Sequence, residues 1–390
     1  MAQVIDKYLT RTDALKRFHQ KFDCFKRGYR LDPPMEQAGD RYYYTLRDPT
    51  EAPWKIPGHT LKDYAYAMGS YYVERKFAKG HQVGNFGLLG WEEDPEEMTK
   101  MDRMKPIHKY EAKDPAAMSK DMKKAGKKLG ASEVGVCELN PLWVYSEGHN
   151  PVTHQDFPIE IDFDVYKYAI VFVVEMDYEA IRTSPSNLEY AATAYGYSKA
   201  AYLAGQMAHF IRTLGYKAIP SVNDTALNIP LAIDAGLGQL GRNGLLITPQ
   251  YGPRVRIGKI LTNLPLGADK PISFGVPEFC NICGRCVEEC PGGAIMSGDL
   301  TDKPVNISTS PGVFKWPIDG EKCFQYWARK QVSCANCMRV CPFNKPPGWL
   351  HDVARVIARN TSQLDRAMVW LDKFFGYGKR AGADRFWADQ

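Results

Sequence analysis

Eight of the ten cysteines fall into two runs, Cys280-x2-Cys283-x2-Cys286-x3-Cys290-Pro291 and Cys323-x10-Cys334-x2-Cys337-x3-Cys341-Pro342. Gaps this short let several thiolates converge on one metal face, and the proline after each last cysteine turns the chain out of the site. C-x2-C-x2-C-x3-C-P is the spacing of paired [4Fe-4S] sites, in which three cysteines of a run hold one cubane and the fourth reaches the other. On that pattern Cys280, Cys283, Cys286 and Cys341 take one cluster, and Cys290, Cys323, Cys334 and Cys337 take the second. Zinc would explain four ligands per site but not the two C-x3-C-P endings or the pairing of runs, and disulfides explain neither. The chemistry is electron transfer. Cys24 and Cys137 stand alone and read as structural thiols.

The elements that must position these cysteines come from a chain of 390 residues, 44% hydrophobic, long enough to bury a large core in two or three units. The net charge of +5 is mild and diffuse. Lys123, Lys124, Lys127 and Lys128 read as one solvated helix face, so no nucleic-acid partner is expected. The richest apolar run, Tyr168 to Val174, is only strand length and too short to span a membrane. Met1 to Thr10 carry neither an apolar signal core nor a twin-arginine pair. Either the protein is cytoplasmic or an export signal has been removed.

Four stretches differ in character. Residues 1–114 are rich in aromatics, proline and charge, with little periodicity, and read as an irregular wrapping segment. Residues 115–268 alternate helical and strand signals: helix from Ala116 to Leu129, strand at Val134 to Cys137, a buried strand from Tyr168 to Glu175, a long Ala-rich helix from Leu188 to Leu214 ended by Gly215. Strand-like Lys217 to Pro220, helical Pro230 to Ala235 and strand-like Gly244 to Thr248 follow. The expectation is an α+β fold whose sheet is covered by helices. Residues 269–345 form a ferredoxin-like double-cluster unit, and residues 346–390 an amphipathic tail that packs on the core.

Within the second stretch, Gly236-x-Gly238-x-x-Gly241 fits the dinucleotide fingerprint as a string, but it follows a helix and runs into a strand, which argues against a nicotinamide or flavin site. Two readings remain: a loop whose backbone N–H groups closely approach a bulky anionic cofactor tail, or tight turns between packed elements.

Residues 234–258, from Asp234 through the glycines to Pro253, Arg254, Val255, Arg256 and Gly258, resemble the corrinoid-binding core of the reductive dehalogenases. The paired cysteine runs downstream resemble the iron–sulfur unit of the same family, and Phe18 to Gly28 resembles the start of mature respiratory members. The resemblance implies a nitroreductase-like core that binds a cobalamin-type corrinoid beside two [4Fe-4S] clusters. It further implies Thr193, Gly236, Leu237, Gly238, Gly241, Arg242 and Asn243 as cofactor-binding positions. The sequence has no Asp-x-His-x-x-Gly motif, so cobalt without a protein lower ligand is expected, and His209 reads as a packed or surface side chain.

The family's proton donor, with its asparagine and arginine, matches Tyr197, Asn223 and Arg256. A phenol is a weak acid near neutrality, so a nearby cation is needed to stabilise the tyrosinate. Arg256 supplies that charge permanently, and Asn223 can donate to the same oxygen or to a departing halide. Thr193 lies four residues before Tyr197 and shares its helix face. Tyr195 is the competing donor. Trp327, then Trp54 and Trp91, are expected to wall a dry, aromatic-lined pocket.

The implied function is reductive dehalogenation of a small halogenated organic substrate, with electrons entering at the Cys290 set from an upstream donor. A small membrane-anchor protein as partner, and a location on the outer face of the cytoplasmic membrane, follow if a signal was removed; otherwise the protein is cytoplasmic. Epoxyqueuosine reductase shares the Gly-rich stretch and cysteine runs, but Tyr197, the sequence Gly252-Pro253-Arg254 and the absence of a strongly basic face stand against it. A cluster-only electron-transfer subunit would not need the long second stretch.

Overall fold

The structure is a computed structural model that describes residues 11–46, 48, 51–77, 109–151, 153–346, 348–351 and 363–388. The strands are β1 (Glu133–Glu138), β2 (Glu147–His149), β3 (Asp156–Pro158), β4 (Tyr168–Glu175), β5 (Ala218–Ser221), β6 (Gln239–Leu240), β7 (Leu246–Ile247) and β8 (Val255–Thr262). The helices used below are α1 (Cys24–Tyr29), α2 (Leu61–Ser70), α3 (Pro115–Leu129), α4 (Asn187–Thr213), α5 (Asn228–Asp234), α6 (Val276–Cys283), α7 (Gly320–Lys330) and α8 (Asp365–Phe374).

An antiparallel sheet in the order β1-β4-β8-β5 forms the middle layer. Strand β4 is apolar from Ala169 to Val174 because both its faces are covered there. Ile170, Phe172 and Val174 pack with Met118 and Met122 of α3 and Ala200, Ala204 and Met207 of α4. Ala169, Val171 and Val173 point the other way, onto Leu231 and Ile233 of α5 and onto Leu240 and Leu246 of the β6–β7 hairpin. This is the period-two alternation of a strand buried on both sides. Strand β8 runs beside β4 with Val174 opposite Arg256. Its alternation sends Arg256 to the α4 side and Val255 and Ile257 to the α5 side.

The covering helices have local start and stop signals. Asp114 caps α3 by accepting from the amides of Ala116 and Ala117, with Pro115 as the first helical residue and Gly130 closing the helix at φ +115°. Ser186 caps α4 by accepting from the Glu189 amide, and Gly215 at φ +85° turns the chain away after its end. The alanines of α4 carry little side chain, which brings the sheet and α2 close to its backbone.

The cysteine-bearing unit is mostly irregular backbone around α6 and α7. The insert between Cys290 and Cys323 folds back on itself through backbone bridges between Thr301 and Lys315 and between Ile295 and Ile318. The N-terminal stretch crosses both units. Gln20 donates to Asp224 of the core at 3.1 Å, while the buried Arg27 pairs with Glu321 of α7. Its described part contains helices α1 and α2, more order than its weak periodicity suggests. The tail packs first on the cysteine unit, where α8 lies against α6 and Asp372 pairs with Arg285 and Lys345. It then reaches the core, where Arg380 donates to the Thr183 carbonyl at 3.1 Å.

Candidate functional site

The first cysteine set shares one cavity, and the cysteines of the second act on one another, with Cys337 feeling Cys334, Cys323 and Cys290 and also Cys286 of the first set. A small cavity is lined by Cys280, Cys283, Cys286 and Cys341, with Arg242 and Phe279 among its other walls and none of the other four cysteines. Burial pushes the Cys280 thiol well above its ordinary value, and the largest charge acting with burial is that of Cys341. The Cys323 thiol is pushed up to about 12 by burial and then by Cys290; Cys334 rises to about 12 by burial, with Glu189, Cys323 and Cys290 adding to it. All ten cysteines are unpaired thiols. Buried thiols that disfavour one another's ionisation need cations between them before they can act as thiolates. Two four-sulfur sets therefore fit iron cubanes chemically.

The Gly-rich hairpin is stitched into this unit. A Cβ on Gly238 would meet the Ile247 carbonyl oxygen at 2.2 Å, so only glycine lets β6 and β7 close. At the hairpin tip the buried Arg242 sends Nε to the Cys280 carbonyl at 3.0 Å and Nη1 to the carbonyls of Met296 and Gly298 at 3.1 and 3.0 Å. Its backbone amide donates to Cys280, favouring the thiolate. Asn243 reaches the Cys337 carbonyl at 3.4 Å. Adjacent residues of the hairpin thus touch both cysteine sets. Sequence reasoning put Gly236, Leu237, Gly238, Gly241, Arg242 and Asn243 against the corrinoid. In the structure Arg242 and Asn243 face the cysteines, and Leu240, Gly244, Leu245 and Leu246 of the same stretch line the substrate-sized cavity described next.

That cavity has a volume of about 410 Å3 and lies between the sheet, α5, the hairpin and the insert of the cysteine unit. Tyr197 from α4, Asn223 from the turn after β5, and Arg256 from β8 all line it. The Arg256 guanidinium carbon sits 4.8 Å from the centre of the Tyr197 ring, over its face. Arg256 is anchored from behind: its Nη2 donates to the Thr193 hydroxyl at 3.2 Å, and that hydroxyl donates to Glu189 at 3.2 Å. Thr193 is buried beneath the arginine and is not among the cavity-lining residues. Glu189 also accepts from Ser333, beside Cys334, at 3.0 and 3.1 Å, and burial raises its carboxyl to about 7. Arg256 Nε is buried without a hydrogen-bond partner, a donor poised at the edge of the site. Tyr195 is 56% exposed and not in the lining.

A buried network sets Asn223. Lys259 of β8 is fully buried and donates to the Val222 carbonyl at 2.9 Å and to Asn228 Oδ1 at 2.7 Å. Asn228 Nδ2 in turn donates to the Val222 carbonyl at 2.7 Å and to Asn223 Oδ1 at 3.2 Å. With its oxygen engaged, what Asn223 offers the cavity is its amide N–H donors.

Two of the tryptophans expected at the wall, Trp327 and Trp54, are elsewhere. Trp327 packs against Phe25 and Tyr42, with ring centres 5.2 and 6.4 Å apart, because α7 turns that face toward the N-terminal segment. Trp54 sits edge-on to Tyr64, and Trp91 lies outside the described residues. The wall tryptophans are Trp143 and Trp316. Sequence reasoning missed both, along with Ser308 to Ser310 and Lys315 of the insert, which carry no local motif.

Residues 279–344 match the family model of a 4Fe-4S double cluster binding domain. A tetrachloroethene reductive dehalogenase of Desulfitobacterium hafniense is 38% identical over 335 residues, 76% of this chain and 60% of the relative. A solved catabolic reductive dehalogenase, NpRdhA, in complex with 3-bromo-4-hydroxybenzoic acid, superposes with a TM-score of 0.72 at 25% identity, covering 97% of this chain and 49% of that one. An epoxyqueuosine reductase of Listeria monocytogenes is 32% identical over 118 residues, 30% of the chain. The chain thus spans about three fifths of the curated dehalogenase and about half of the solved one.

Proposed function

The chain belongs to the reductive dehalogenase family, and from that premise we propose that it replaces halogen by hydrogen on a small organohalide, R–X + 2 e⁻ + H⁺ → R–H + X⁻. The observation that carries this reading is the meeting of Tyr197, Asn223 and Arg256 at one cavity, with the arginine over the phenol ring.

The cavity suits a corrinoid edge and a small apolar substrate. Its walls are mostly apolar, with Trp143, Leu240, Leu246 and Trp316, while Asn223 and Ser308 offer donors for a ring rimmed by amides. Bound there, a corrinoid would supply strongly reduced cobalt, an electron source for breaking the carbon–halogen bond that no side chain can provide. The two cysteine sets would hold the [4Fe-4S] clusters that deliver the two electrons, with the Cys290 set as the entry point.

The protein's own chemistry is the proton. Tyr197 would donate from its hydroxyl, and the permanent charge of Arg256 over the ring would stabilise the tyrosinate left behind. Thr193 and Glu189 would hold that guanidinium in place during turnover. Asn223, its carbonyl side held by Asn228, would donate to the departing halide or to the phenol oxygen. The location on the outer face of the cytoplasmic membrane and a small anchor partner belong to the same reading. The test is halide release by anaerobically reconstituted protein with a low-potential reductant, across chlorinated ethenes and brominated phenols. Release that depends on added corrinoid supports the proposal. Protein replete with iron and corrinoid that releases no halide from any of them would overturn it.

A further inference from the structure

The cavity is electrostatically lopsided. Among the described residues that line it, Arg256 and Lys315 are cations and none is a carboxylate. Arg256 is committed to Tyr197 and Thr193. Lys315 is not committed to any charge. It stands on the insert between the cysteine runs, its backbone paired with Thr301 in both directions at 2.9 and 3.1 Å, so its position is fixed from behind. Its ammonium donates to the Ser310 carbonyl at 2.5 Å, a neutral partner in its own loop. Burial alone lowers its pKa to about 8, and no acidic group acts on it. A half-buried ammonium without a counter-charge is stabilised when an anion completes the site. Ser308, Thr309 and Ser310 line the cavity beside it. The Thr309 hydroxyl donates to the Ile318 carbonyl at 3.2 Å and the Ser308 hydroxyl accepts from Arg27 at 3.0 Å, which leaves the O–H donors of Ser308 and Ser310 beside the point cation. That combination suits a phosphate better than a planar carboxylate, for which an arginine fork is the usual match.

We propose that Lys315, with the adjoining Ser308 to Ser310 segment, binds the phosphodiester of the corrinoid's nucleotide loop. The proposal rests on the corrinoid reading above. It assigns the insert between Cys290 and Cys323 a second task besides carrying the cysteines, namely selecting complete corrinoids over those without a nucleotide loop.

The test is equilibrium binding to the full chain with reconstituted clusters, read by the visible spectrum of the corrinoid. The probes are hydroxocobalamin and diaquacobinamide, which keeps the corrin ring but lacks the phosphodiester and nucleotide. Lys315→Met should weaken cobalamin binding by about ten-fold or more, the worth of a hydrogen bond to a charged group, and leave cobinamide binding within about two-fold of the parent. Lys315→Arg, which keeps the cation, should retain most of the preference for cobalamin. Equal weakening for both probes would mean the lysine only supports the loop, and no change for either would mean that it does not meet the ligand; each overturns the proposal. A parent protein that binds neither probe would overturn the corrinoid reading itself, and this inference with it.

Discussion

Cys280, Cys283 and Cys286 lie in α6 and the short helix Arg285–Glu288 directly after it, whereas Tyr197, Asn223, Arg256 and Lys315 reach their cavity from four separate elements. The first arrangement is local: spacing alone brings three sulfurs onto one face, and a single long-range cysteine, Cys341, completes the set. The second is topological. Arg256 meets Tyr197 only because β8 is the inner strand on which α4 packs, and Lys315 joins them only because the insert folds over the hairpin. Motifs therefore locate the electron-carrying half of the molecule, while the half that would handle substrate becomes visible only in the fold.

The sharpest way to break this contrast is to ask whether the sulfur sets follow space or sequence. Cys280→Ala and Cys341→Ala should damage the same cluster, each losing roughly four of about eight irons and the same electron paramagnetic resonance signal. Cys290→Ala should remove the other signal. If Cys280 and Cys290, which share a run, instead report on one cluster, the crossing-over is wrong.

A smaller effect is expected at the arginine. Arg256→Lys keeps a positive charge but loses the planar group over the ring and the fixed bond to Thr193. Dehalogenation should fall roughly ten-fold, the scale of a lost charged hydrogen bond, at unchanged iron content. Full activity in this variant would leave the cation without a role beside Tyr197.

The smallest effect concerns Lys259, which supports the site from beneath. Burial holds the folded ammonium at about 7, below its ordinary value of 10.5. Between those values the unfolded chain binds a proton that the folded chain lacks, so stability should rise as pH increases from 7 toward 10.5. Thermal melts from pH 7 to 9 should show that rise in the parent and a flatter profile in Lys259→Met. An equal slope in both would mean that Lys259 stays charged when buried.

How much was legible follows from the same physics. Strand β4 is apolar on both faces, and α4 is a long Ala-rich run ended by Gly215, so both could be read within a residue of their ends. Strand β8 was not read as a strand. Arg256 and Lys259 interrupt its apolar pattern, and they do so because one turns to the site and the other to the network behind it. The trio of Tyr197, Asn223 and Arg256 came from family resemblance, and the fold brings the three to one cavity. The glycines were assigned to the corrinoid through the family resemblance, because the string alone fits a cofactor loop and tight packing turns equally and does not say what approaches. At Gly238 it is the Ile247 carbonyl, and at the hairpin tip Arg242 and Asn243 turn to the cysteines. Trp316 and Lys315 had no signal, since a wall residue on an irregular insert has neither periodicity nor motif.

The central claim is that Tyr197 gives the proton. Tyr197→Phe keeps the ring under Arg256 and removes only the hydroxyl, while Tyr195→Phe makes the same change on the exposed side of the same helix. Steady-state dehalogenation should be compared at equal iron and cobalt content. The account predicts a loss of about 10² for Tyr197→Phe, typical of a positioned general acid, and near-parental rates for Tyr195→Phe. Parental turnover in Tyr197→Phe, or the large loss in Tyr195→Phe instead, would contradict it.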